Sequence, residues 1–266
     1  MNALQLYGRY VRVYVAGLME YRVSLLLRLL STLAGSILEC VGIWVLFTRF
    51  GLLGSWTFPE TLLLFSVASM AFGLAEWLGR GFDKFPAQVA TGDFDRMLLR
   101  PRSTVLQVLG TRFELNKIGR VIQGGLLAWY CLTLLGAPLT PARAALLAAA
   151  VVGGAFVYGG VFVLFATLSF WTIQSVQLAY VLTNCSLDMF QYPVEIYGPW
   201  VRRFFTFVVP LACITYYPLV AVLGKTDATG LPAWFPWLAP ALGPVFFLGT
   251  LLLWRFGVRH YHSTGS

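Results

Sequence analysis

Between residues 24 and 256 the chain passes through long apolar stretches almost free of charge, and that pattern decides what it can fold into. Of 266 residues, 58% are hydrophobic and only 11% are charged, whereas soluble domains carry about a quarter charged residues. A soluble core cannot hide this much apolar surface, so lipid is the expected solvent. A spanning helix needs about 20 apolar residues. The length leaves room for about six such helices and little else. The runs place them at Ser24 to Phe47, Thr61 to Leu78, 118–136, 143–168, Ile173 to Phe190 and 237–256. The fold class expected is an all-α integral membrane protein in one domain, residues 1–266.

Two further segments complete this reading. Residues 3–20 carry Leu4, Leu6, Tyr7, Tyr10, Val11, Tyr14 and Leu18 on one side, broken by Arg9, Arg12 and Glu20. Such a segment lies in the membrane interface, so residues 1–22 are expected to form an amphipathic interfacial helix. The stretch 191–236 contains Pro193, Pro199, Pro210, Pro218, Pro232 and Pro236. Proline removes a helix donor and kinks the helix, so Phe204 to Leu223 reads as part of a re-entrant or interfacial hairpin. Irregular backbone at that depth is tolerated only where protein or a cavity surrounds it.

The net charge of +8 is read through topology and not as a nucleic-acid footprint. With six spans and the N-terminus inside, thirteen Lys and Arg residues fall on the cytoplasmic side and five outside, with Arg28 left within the first span. The outer five are Arg49, Arg143, Arg202, Arg203 and Lys225. That bias is the positive-inside pattern. It puts the Pro-rich hairpin outside and both termini in the cytoplasm.

Catalytic patterns are missing from the sequence. Gly224-Lys225-Thr226 echoes the end of a phosphate loop, but Leu219 stands where its first glycine must be. His260 and His262 form a lone His-x-His near the C-terminus, where a frayed tail is the simpler reading and no metal site is expected. Cys40, Cys131, Cys185 and Cys213 lie in or beside apolar runs without paired spacing and read as small buried hydrophobes. The chain is therefore not expected to be an enzyme or to hold a cofactor.

The segment 80–105 is the richest in chemistry. Gly92-Asp93-Phe94-Asp95-Arg96-Met97-Leu98-Leu99-Arg100-Pro101 joins a capping start, an aromatic, mixed charge and a proline stop. Asp93 reads as the cap of a short helix. Phe94, Met97 and Leu98 fall on one side of it, as in a helix that enters a soluble partner's groove. The alternative is an interfacial loop whose arginines meet anionic headgroups.

The order of elements, with the decapeptide 92–101, Tyr192-Pro193, Ile196-Tyr197, Val209-Pro210-Leu211-Ala212 and Tyr216-Tyr217-Pro218, resembles a bacterial subfamily of ABC-2 type permeases over nearly the full chain. The resemblance implies an exporter of two permeases, identical or paired with a sister, and two ATP-binding subunits that carry ATP and magnesium. It implies a multi-pass protein of the bacterial inner membrane, working by alternating access. It also implies that 83–105 is the coupling segment, with Asp93, Phe94, Asp95, Arg96, Met97, Leu98 and Arg100 at the contact. A secondary transporter or channel is the rival reading, but that class usually shows discontinuous helices in both halves.

Polar residues inside spans mark packing or a pathway. Gln174, Gln177, Asn184, Asp188 and Gln191 form one stripe along the fifth span. Together with Glu39 they are candidates for a translocation path; the alternative is hydrogen bonding to neighbouring helices. Glu39 and Arg28 lie too far apart to pair, so Glu39 is expected to meet a partner elsewhere. Ser31 with Gly35, Gly124 with Ala128, and Ala155 with Gly159 read as close helix contacts.

Overall fold

The computed structural model describes residues 22–111, 114, 117–171, 189, 191–226 and 229–261. The expected interfacial helix at 1–22, Arg22 apart, and the expected fifth span, Met189 apart, lie outside those residues. Among the described residues the chain is helical with no strand, and four helical stretches are long and apolar enough to cross a membrane. These are Leu26–Phe50, Phe58–Ala90, Pro141–Leu168 and Phe235–Arg259.

Helix α1 is Arg22–Phe50 and α2 is Phe58–Gly79. Pro59 stands in the first turn of α2, where its missing N–H costs nothing, and the Thr57 backbone N–H donates to Glu60 Oε2 at 2.7 Å. A 3₁₀ turn, Arg80–Lys84, leads into three short helices: α3 (Phe85–Ala90), α4 (Asp93–Leu98) and α5 (Thr104–Leu109). Helix α6 is Ile118–Leu134; its 17 residues rise about 26 Å, close to a hydrocarbon core. Helix α7 is Pro141–Leu168, opened by Pro141 and by Thr140 Oγ1, which accepts the Arg143 N–H at 3.4 Å. After a turn at Val194–Ile196 come α8 (Pro199–Phe207), α9 (Tyr216–Leu223) and α10 (Phe235–Leu238). A 3₁₀ turn at Ala239–Ala241 runs into α11, Leu242–Arg259.

Helix α2 is the centre. Its residues from Glu60 to Ser69 are all buried, and it packs on α6 and α7. Helix α7 packs in turn on α11. The backbones of α7 and α11 nearly touch: a Cβ at Gly243 would overlap the Gly153 carbonyl, and one at Gly153 the Pro240 carbonyl. Helix α1 stands at the periphery, with Leu26, Leu27, Leu38 and Trp44 more than half exposed.

The Pro-rich segment divides into short helices. Helices α8 and α9, of nine and eight residues, rise about 13 and 12 Å, less than half of a hydrocarbon core. Leu211 to Tyr217 between and within them are buried. The Tyr217 hydroxyl meets Thr206 Oγ1 at 3.2 Å, and its ring packs on Tyr216 and Phe235 at 5.2 and 5.0 Å. Tyr197 donates to the Met189 carbonyl at 2.9 Å, and burial, then the neighbouring Tyr192, pushes its pKa up to about 12. Cys131 and Cys213 are buried and Cys40 half-buried; Cys185 lies outside the described residues.

The small-residue pairs separate into three kinds. Gly124 approaches the Ser66 carbonyl of α2, and Ala128 is buried, so that pair is a contact. A Cβ at Gly35 would meet nothing within 4 Å, and Ser31 and Gly35 face outward. Ala155 and Gly159 line an open cleft. Gly243→Val is expected to cost about 1–3 kcal/mol, as overpacking does. Gly35→Ala should stay within about 0.5 kcal/mol. Unfolding of the two purified variants checks this, and equal stabilities would show that α7 and α11 do not cross at Gly153.

Candidate functional site

Two side-chain clusters occupy one end of the bundle, where α2 ends and α6 begins. The first is ionic. Glu76, on the last turns of α2, is 1% exposed. Its carboxylate pairs with Arg80 at 2.7 Å, one turn on, and with Lys117 at 2.9 Å, with Arg120 at 3.7 Å. Arg120 also reaches Glu39 of α1 at 3.4 Å and lies over the Phe72 ring at 5.4 Å. Three helices are thus joined by charge. Glu39 has the partner that its position in an apolar helix demanded.

The second cluster is aromatic and seats the α3–α5 segment on the bundle. Phe94 is fully buried. Its ring lies 4.9 Å from Phe85, 5.5 Å from Phe170 and 5.1 Å from Tyr261. Trp254 of α11 packs on Phe85 with its ring tilted, centroids 4.7 Å apart, and its indole N–H donates to Thr104 Oγ1 at 3.0 Å. Gln107 closes the turn between α4 and α5, donating to the Met97 and Arg102 carbonyls at 3.1 and 3.2 Å. Burial, and then the Asp95 carboxylate beside it, raises the pKa of Tyr261.

These positions change two details of the sequence reading. The cap of α4 is Gly92, held at φ 72°, a left-handed backbone suited to glycine. Asp93 is instead the first helical residue and accepts a hydrogen bond from Thr91 Oγ1 at 3.0 Å. Phe94 points into the bundle and not outward, because four aromatic rings cover it. The outward surface of the segment comprises Arg96, Leu98, Leu99 and Arg100, with Leu99 86% exposed; Met97 and Asp95 are half-buried. An exposed pair, Arg96 with Asp93 at 3.6 Å, lies along its side.

Of the stripe proposed on the fifth span, Gln177, Asn184 and Asp188 lie outside the described residues, as does Gln174. Gln191 is buried at the start of the Pro-rich segment.

The sequence reading passed over three carboxylates, Glu76, Glu60 and Glu195. Glu76 falls inside the second apolar run, and a lone acid there was a visible signal. Glu60, at the opposite end of α2, pairs with Lys225 at 2.7 Å. Lys225 also donates to the Ser55 carbonyl at 2.7 Å and lies 4.7 Å over the Trp56 ring. Glu195 accepts from the Ser55 backbone and hydroxyl at 2.7 and 2.8 Å. The Pro-rich segment is thereby tied to the α1–α2 turn.

Compared with known families, residues 33–265 match the model of a family described as ABC-2 family transporter protein. No curated protein and no solved structure matches the chain.

Glu76→Gln should remove the buried carboxylate from three half-buried cations and cost up to about 3–5 kcal/mol. Adding Lys117→Met should restore part of that loss. Thermal unfolding of the two variants decides the matter, and a single variant as stable as the parent would exclude the ionic cluster as a tie between α2 and α6.

Proposed function

The chain belongs to the ABC-2 transporter family, and from that premise we propose that it is the membrane-spanning permease of an exporter driven by a separate ATP-binding subunit. The observation that carries the proposal is the α3–α5 segment. It is a folded unit, locked by Phe94 and Gln107, and it presents Arg96, Leu98, Leu99 and Arg100 away from the bundle. A mixed apolar and basic surface on short helices suits a groove in a soluble partner. ATP and magnesium belong to that partner, and this chain contributes no chemistry to ATP hydrolysis.

The rest of the reading follows from charge and from family membership. The end with Arg80, Lys117 and Arg120 faces the cytoplasm of a bacterial cell, by the positive-inside bias, and both termini lie there. The 191–236 segment lies at the outer side; its helices are too short to cross and its core is aromatic. Two permeases, identical or paired, enclose a path that opens inward and outward in turn. The polar stripe expected at Gln174, Gln177, Asn184, Asp188 and Gln191 lines that path.

Two experiments test this. Arg96→Ala with Leu99→Ala should weaken both co-purification of the ATP-binding subunit and ATP-dependent export, and leave thermal stability unchanged. Full assembly and export by that variant would place the docking surface elsewhere. Asn184→Leu should lower export and substrate-stimulated ATP hydrolysis at normal expression and stability. If that variant loses stability while its folded fraction transports normally, the stripe packs helices and lines no path.

A further inference from the structure

Helix α8, Pro199–Phe207, has two unlike sides. Trp200, Arg203, Phe204 and Phe207 fall at i, i+3, i+4 and i+7, which is one stripe of a helix. Trp200 and Phe207 are 74% and 64% exposed, and Arg203 is exposed between them. The Trp200 and Phe204 rings stack along the stripe, centroids 5.6 Å apart. The other side is bound to protein. Arg202 donates to the Glu195 carbonyl at 3.1 Å, and the buried Thr206 meets the Tyr217 hydroxyl at 3.2 Å. An exposed aromatic stripe on a helix already fastened from behind calls for a partner of its own.

Contacts fix the level at which this stripe stands. Glu195 is bonded to Ser55, in the turn between α1 and α2. The candidate span Leu26–Phe50 ends before that turn, and Phe58–Ala90 begins after it. On the other flank Tyr217 packs on Phe235 at 5.0 Å and Phe235 on Trp234 at 6.1 Å, where the span Phe235–Arg259 begins. Trp234 and Trp237 are exposed there as well. Helix α8 is thus held level with the ends of three spans, where a bilayer has its headgroups. Tryptophan favours that level because its ring is apolar while its N–H reaches a polar group. The helix has no acidic residue to meet Arg203. An arginine within an apolar stripe extends its charged head to the nearest anion, and at that level the anion is lipid phosphate.

We propose that α8 is a membrane anchor lying in the plane of the bilayer surface, with Trp200, Phe204 and Phe207 among the acyl chains and Arg203 on a phospholipid phosphate. Which leaflet this is follows from the orientation proposed above. The anchor itself is tested without the partner subunit, without ATP and without transport, so failure of the exporter reading would not imitate failure here. The full chain, with its four cysteines replaced, is placed in liposomes of phosphatidylethanolamine and phosphatidylglycerol. A spin label is attached at Trp200→Cys or Phe207→Cys, and thermal unfolding shows that each variant is folded. Collisions with oxygen, which concentrates among acyl chains, and with a water-soluble nickel chelate report depth. Both labels should be reached by oxygen and shielded from nickel, about 5–10 Å into the boundary between headgroups and chains. Adding Arg203→Glu should move the label at Trp200→Cys toward water. Brominated acyl chains give a second measurement on the chain with its cysteines intact: Trp200→Phe should remove part of the tryptophan fluorescence that they quench. Free access of nickel would show that α8 stands in water, and shielding from both reagents would show that protein, such as a second copy, covers it. Either result overturns the proposal, as does a depth that Arg203→Glu leaves unchanged or quenching that Trp200→Phe leaves unchanged.

Discussion

The carboxylate of Glu76 is the fixed point of the bundle. It sits in an apolar helix at 1% exposure, where an isolated charge is too costly to keep. Lys117 and Arg80 at under 3 Å neutralise it, and Arg120 extends the pairing to Glu39. Lys117 and Arg120 flank the start of α6, so the charge fixes where along α2 that helix begins. Helix α1, otherwise mostly exposed, is oriented by the same arginine. At the opposite end of α2, sixteen residues or about 24 Å away, Glu60 holds Lys225 in the same manner. The central helix is thus clasped by charge at each end and packed by apolar contact between.

The aromatic cluster has a different consequence. Phe94 belongs to a six-residue helix that could not hold its shape alone. Its ring is enclosed by Phe85 from α3, Phe170 from just beyond α7 and Tyr261 from just beyond α11. Trp254 bridges the same group to Thr104 of α5. Side chains at native packing density transmit displacement instead of absorbing it. Through these rings the short helix α4 is packed against the ends of α7 and α11, two helices whose backbones approach at Gly153 and Gly243.

The long helices were legible in the sequence because hydrophobic runs of bilayer length are a local signal. The boundaries of α2, α7 and α6 fall within a few residues of those read from the runs. Proline spacing likewise marked 191–223 as broken, since its effect is on its own backbone. What could not be read was partnership. Glu76 and Lys117 are forty-one residues apart, Glu60 and Lys225 one hundred and sixty-five, and nothing local to either residue names the other. Phe94 shows the same limit. Helical spacing grouped it with Met97 and Leu98, but Leu98 is exposed, and the burial of Phe94 is set by Phe170 and Trp254, far along the chain.

The small residues carry this lesson furthest. Gly153 and Gly159 lie on one helix, less than two turns apart, in the same kind of small-residue pattern. At Gly153 the facing residue is Gly243, and the two backbones close together; at Gly159 the facing group is the Phe247 ring, and space remains. Spacing on α7 is identical in meaning at both sites, so the pattern cannot distinguish a contact from a cavity. The choice is made by the residue on α11. A glycine there yields a crossing, and a phenylalanine four positions later lines, with Ala155 and Gly159, a cleft beside it. Close contact and open cleft are therefore produced together along one pair of helices, which approach again where Gly160 faces Phe246 and Thr250 and where Gly257 faces Thr167.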